Sequence, residues 1–163
     1  GSSLPDLYGG LTNTFSYKNF SLSFLIVYSI GGKVLDNDYT FLMGTGTPGR
    51  AWSTEMENAW RPDNRNTDVP QLNALGTSWT SASTRFLYDA TYARLKSLNL
   101  SYTLPKSLME RAHLNNITVY LQGENLITLY NHQGMDPEQT VGGTTYYRYP
   151  AVKSVSAGIN LSF

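Results

Sequence analysis

The last ten residues, SVSAGINLSF, place Val155, Ala157, Ile159, Leu161 and Phe163 two apart, with Ser154, Ser156, Gly158, Asn160 and Ser162 between them. A period of two belongs to a β-strand whose side chains point alternately to opposite faces. The rhythm recurs upstream. Leu11, Phe15 and Tyr17 alternate with Thr12, Thr14 and Ser16. Phe20, Leu22, Phe24, Ile26, Tyr28 and Ile30 alternate with Ser21, Ser23, Leu25, Val27 and Ser29. Further on, Leu98, Leu100, Tyr102 and Leu104 alternate with Ser97, Asn99, Ser101 and Thr103, and Ile117, Val119, Leu121 and Gly123 with Thr118, Tyr120, Gln122 and Glu124. The spacing predicts five antiparallel strands, each with one apolar and one polar face.

The connections narrow the choice of fold. A two-residue loop at Lys18-Asn19 sets Tyr17 opposite Phe20 and Phe15 opposite Leu22, so that the large apolar residues share a face; Asn19 tolerates a positive φ. The next connection, about 31–83, has no periodicity beyond a short helix expected around Ser53–Trp60, with Ser53 or Thr54 as its cap. A short link, Pro105–Asn115, follows, and then a long one at about 131–150. Connections alternate between the two ends of a meander, so both short ones lie at one end and both long ones at the other. Transmembrane β-barrels show that asymmetry. It gathers Tyr17, Phe20, Tyr102 and Phe163 at the short-turn end of the apolar face, as an aromatic girdle requires. A soluble aromatic-rich carbohydrate-binding β-sandwich explains the alternation equally well, but not the loop asymmetry.

Composition removes other classes. Twelve basic and twelve acidic residues cancel, leaving no electrostatic footprint for nucleic acid. With no cysteine there is no disulfide, thiolate metal site or Cys nucleophile. No apolar run approaches the roughly 18 residues of a membrane helix. Catalysis is not expected: His113 and His132 read as solvated surface residues, and Asp136 and Glu138 as shaping a loop around Pro137. Asn64, Asn66 and Asp68 space oxygens like the start of a calcium loop, but lack its glycine and late glutamate. Neither a metal nor a cofactor is expected.

Several blocks together, SLPDLYGGLTNTFSYKNFSLSFLIVYSIGGKV, AWRPDNRNTDVPQL, YDATYARLKSLNLSYTLP, GENLITLYNHQGMDPE and SAGINLSF, closely resemble the C-terminal end of the SusC/RagA family of TonB-linked transporters. The resemblance runs the length of the chain in the right order. It implies a bacterial outer-membrane barrel of about 22 strands around an internal plug, in Bacteroidetes-type bacteria. It also implies import of glycan oligomers or peptides with a SusD-like lipoprotein lid. Residues 1–163 would supply the last five strands, bounded by outer-membrane lipid, completed by the remaining strands and plug, and driven by TonB through a segment not contained here. A siderophore-type receptor, the near alternative, would lack the WRPDN and DPE blocks.

Two sets of residues are expected to act. Trp52, Trp60 and Trp79, all in the first long loop, offer flat faces to sugar rings or peptides, or else pack the loop against itself or the lid. The final strand, Val155, Ala157, Ile159, Leu161 and Phe163, resembles the signal read by the barrel-assembly machinery. Arg94, Lys96 and Lys153 fall on the apolar-face parity. They are tolerable there only near the outer leaflet, with their heads reaching lipopolysaccharide phosphates.

Overall fold

A computed structural model describes residues 1–44, 49–72, 81, 83–111, 114–132, 135–138, 142–145 and 148–163. One antiparallel sheet dominates it. Its strands are β1 (Leu7–Tyr17), β2 (Phe20–Ile30), β5 (Tyr92–Thr103), β6 (Asn116–Tyr130) and β7 (Ser154–Ser162), adjacent in that order. The expected hairpin is present in register, with Tyr17 opposite Phe20 and Phe15 opposite Leu22. One detail differs. Lys18, not Asn19, adopts the positive φ, at 53°. Asn19 is held by the neighbouring strand: its Nδ2 donates to the Thr103 carbonyl at 2.7 Å and its own carbonyl accepts the Thr103 N–H.

Face assignments follow from the ladder. Leu22 lies opposite Leu100, Leu100 opposite Leu121, and Leu121 opposite Ala157, while Ser23, Asn99, Gln122 and Ser156 line up on the other face. The short-turn end carries the Phe20 and Tyr102 rings, whose centroids are 4.5 Å apart. There, the second short link contains the brief helix α2 (Lys106–Arg111).

The first long connection is more ordered than its lack of periodicity predicts. It folds into a lobe containing β3 (Lys33–Leu35), α1 (Asn37–Leu42), a 3₁₀ turn at Thr54–Asn58 and β4 (Leu87–Asp89), with β3 and β4 paired antiparallel. Three-residue strands and single-turn helices are too short to leave a periodic signature. The 3₁₀ turn occupies the expected place, with the Ser53 hydroxyl accepting the Glu55 N–H. Met43, Met56, Ala59, Val69 and Phe86 form the lobe's buried core, with Leu35 and Tyr39 packed against it.

That core belongs to the lobe. The apolar face of the large sheet is bare: Leu129 is 66% and Ile159 63% exposed. A β-sandwich would lay a second sheet over this face, and among the described residues none lies there. An apolar surface crossing five strands calls for an apolar solvent. No helix among the described residues is long and apolar enough to cross a membrane.

Candidate functional site: the lobe over the polar face

The functional geometry begins at a bulge. Opposite β2 and β6 the register of β5 shifts between Leu95 and Ser97, leaving Lys96 unpaired; β6 carries Asn125 and Leu126 at the same level, with Asn125 at φ 51°. A bulge residue reverses the side-chain parity of its strand. Leu98 and Leu100 therefore share the apolar face with Leu95, while Arg94 points to the polar one. The expectation that Arg94 and Lys96 project into lipid is corrected by this one extra residue.

Arg94 is 3% exposed and fully engaged. Its Nε donates to Thr128 Oγ1 at 3.1 Å, Nη1 to Glu138 Oε2 at 2.6 Å and Nη2 to Asp136 Oδ1 at 2.5 Å. Lys96 Nζ reaches the same Glu138 carboxylate at 2.7 Å. Asp136 Oδ1 also accepts the Glu138 N–H, and Oδ2 the Ala151 N–H at 2.6 Å. Burial would raise the Asp136 pKa; the two backbone N–H donors and the Arg94 guanidinium outweigh it and hold the carboxyl below its ordinary range. The DPE loop is thus clamped onto the polar face of the sheet.

A second junction ties the lobe to the segment leaving β6. Asp36 caps α1 by accepting the Tyr39 N–H at 2.9 Å, accepts the Thr145 hydroxyl, and lies 2.9 Å from His132 Nε2. The His132 ring stacks on Tyr88, centroids 3.4 Å apart and nearly parallel. His132 is therefore a structural partner of a buried carboxylate and not a solvated surface group; His113 lies outside the described residues. Tyr39 donates to Glu55, and burial and that carboxylate both push its phenol pKa up, so it remains a donor.

Between the lobe and the polar face lies a cleft of about 510 Å³, bordered by Tyr39 and Leu42 of α1, by Asn125 and Tyr130 of β6, and by Arg148 and Lys153. Lys153 stands just before β7, at the mouth of this cleft. Trp52 and Trp60 take no part in the lobe core and are 46% and 36% exposed; Trp79 lies outside the described residues. The Asn64 amide donates to the Asn58 carbonyl, closing a turn, and among the described residues no group of three His, Asp or Glu side chains gathers to hold a metal. Val155, Ala157, Ile159 and Leu161 lie on β7, an edge strand among the described residues, and Phe163 follows it, 86% exposed.

No family model matches the chain. TonB-dependent receptor P3 of Formosa agariphila is 35% identical over 175 residues, covering 100% of this chain and 17% of that protein. TonB-dependent receptor P26 of the same organism is 30% identical, with the same coverage. A solved structure of the RagAB peptide transporter superposes with a TM-score of 0.83 at 35% identity, over 99% of this chain and 18% of that one. The RagAB importer in its open-open and closed-closed states gives 0.81 and 0.82. The chain is a segment of a SusC/RagA-like TonB-dependent transporter.

The chain spans about a sixth of the length of these relatives. As a SusC/RagA-like segment it is part of an outer-membrane β-barrel, and its bare apolar face is the one turned to lipid. The polar face with its clamped loops is the inner wall. Sequence reasoning missed the Arg94 clamp, although a charge in phase with Leu98 and Leu100 was itself the signal of a bulge.

Proposed function

We propose that the segment forms part of the barrel of a TonB-dependent importer of glycan oligomers or peptides that works with a SusD-like lipoprotein. The observation that carries this reading is the division of one sheet into a bare apolar face and a polar face on which the long loops are fastened. Such a wall separates lipid from an aqueous path. The relatives are receptors and transporters, and the RagAB neighbours are described as importing peptides.

Residues 1–163 act together as one barrel portion, with the connections at about 31–83 and 131–150 on the extracellular side. The remaining strands and the plug complete the pore, and TonB engages a part of the transporter outside this segment. Trp52 and Trp60, exposed on the lobe, offer aromatic faces to cargo or to the lipoprotein, and Trp79 is assigned the same role from sequence. The segment contributes no catalytic group.

The test is uptake. Cells with and without the full-length transporter are given fluorescent peptides and fluorescent oligosaccharides, with and without a collapsed proton-motive force. Uptake of at least one cargo class is expected to require both the transporter and the energised membrane. Equal uptake of both classes by the deletion strain would overturn the reading.

A further inference from the structure

The cleft between α1 and the inner wall combines two unmet needs. Arg148 and Lys153 border it, and among the described residues neither has an ion pair. The carboxylates nearby are committed elsewhere. Asp36 serves Tyr39, Thr145 and His132; Asp136 serves Arg94 and the Ala151 and Glu138 N–H groups; Asp38 is also engaged. Arg148 and Lys153 are thus the two charged side chains of the lining left without a partner among the described residues.

The other need is an acceptor without a donor. Asn125, held at positive φ in the β6 bulge, donates through Nδ2 to the Val152 carbonyl at 3.1 Å. Its Oδ1 is buried and has no hydrogen-bond partner among the described residues. A buried polar atom left unpaired costs about 1–3 kcal/mol and asks for an explanation. Asn125 lines the same cleft as Arg148 and Lys153. A volume of about 510 Å³ falls within the usual range for small-molecule sites.

Resting on the importer reading above, we infer that this cleft is a cargo subsite for an oligomer carrying carboxylates. Arg148 and Lys153 take the carboxylate, and a shift of the Asn125 side chain brings its Oδ1 to an N–H or O–H of the same ligand. Leu42 and Met135 form an apolar flank to the cleft, against which the ligand backbone or ring lies. Both an acidic peptide and an oligouronate satisfy this chemistry. A neutral oligomer leaves the two cations unanswered.

The experiment uses the full-length transporter in detergent and four probes: an acidic hexapeptide of alternating glycine and aspartate, its asparagine counterpart, trigalacturonate and maltotriose. Binding is measured by calorimetry for the wild type and for the double variant R148Q/K153Q, whose side chains are exposed and outside every packed cluster. The wild type should bind at least one acidic probe more tightly than its neutral counterpart. The double variant should lose about tenfold for that probe, as expected for charge-assisted hydrogen bonds, and change less than twofold for the neutral ones. N125L should weaken acidic and neutral probes alike. Preference for the acidic peptide over trigalacturonate, or the reverse, identifies the source of the carboxylate. Equal affinity of acidic and neutral probes, or unchanged acidic binding in R148Q/K153Q, overturns the inference while leaving import intact. Binding of none of the probes by a transporter that still imports in cells also overturns it. Failure of all energised uptake would instead remove the importer reading itself.

Discussion

Arg94 sets the terms at the residue scale. A guanidinium buried to this degree is retained only because three acceptors surround it, and removing it strands Asp136 in a poorly solvated place. R94M is expected to weaken loop docking by about 3 kcal/mol. R94K, which keeps the charge but not the fork, should recover part of it. Amide exchange of residues 135–138 in the full-length transporter checks both; unchanged protection in R94M would show that the clamp does not hold the loop. The pH dependence has a definite sign. Asp136 is held below its ordinary pKa, so its contribution is present above the unfolded value of about 3.9 and is lost as pH falls through the lower folded value. Protection of 135–138 should be flat from pH 8 to 5 and fall only below about pH 4, and D136N should abolish that fall. The same residue shows how far sequence carries. The side-chain period gives the five long strands, yet a single unpaired residue, Lys96, reverses the parity of everything before it in β5; a charge in phase with Leu98 signals a bulge without locating it.

At the scale of elements, β5 and β7 carry separate predictions. Leu98 and Asn99 are neighbours on opposite faces of β5. L98R should lower barrel stability by up to about 2–4 kcal/mol, depending on depth in the bilayer. N99R, facing the aqueous side, should cost far less, and equal losses on chemical denaturation in lipid vesicles would contradict the face assignment. Among the described residues β7 stands at one edge of the sheet, with Phe163 after it. An apolar strand edge can pair with another sheet by β-augmentation, which gives the terminal strand its proposed role as an assembly signal. F163D in the full-length protein should reduce heat-modifiable barrel in outer-membrane fractions and leave the affinity of the assembled protein unchanged. The five long strands were legible because the alternation persists over seven residues or more in each. β3, β4 and α1 were not, because a three-residue strand or a six-residue helix shows less than two full periods. Their positions come from Asp36, Phe86 and Met43, whose contacts are distant in sequence.

On the scale of the whole molecule, one sheet faces two solvents. The lobe has a conventional buried core around Phe86 and Met43, while the large sheet leaves Leu121, Leu129, Ile159 and Phe163 uncovered. In water such a surface would drive association; in lipid it is the wall of a barrel. The segment contains no cysteine, so single cysteines can be introduced one strand position at a time. The direct measurement places nitroxide labels at positions 121, 122, 159 and 160 of the full-length transporter in lipid vesicles, and compares collision with oxygen, which concentrates in lipid, with collision with a water-soluble nickel chelate. Strict alternation is expected: labels at 121 and 159 favour oxygen, and labels at 122 and 160 favour the chelate. Equal accessibility at adjacent positions, or the opposite phase, would contradict it.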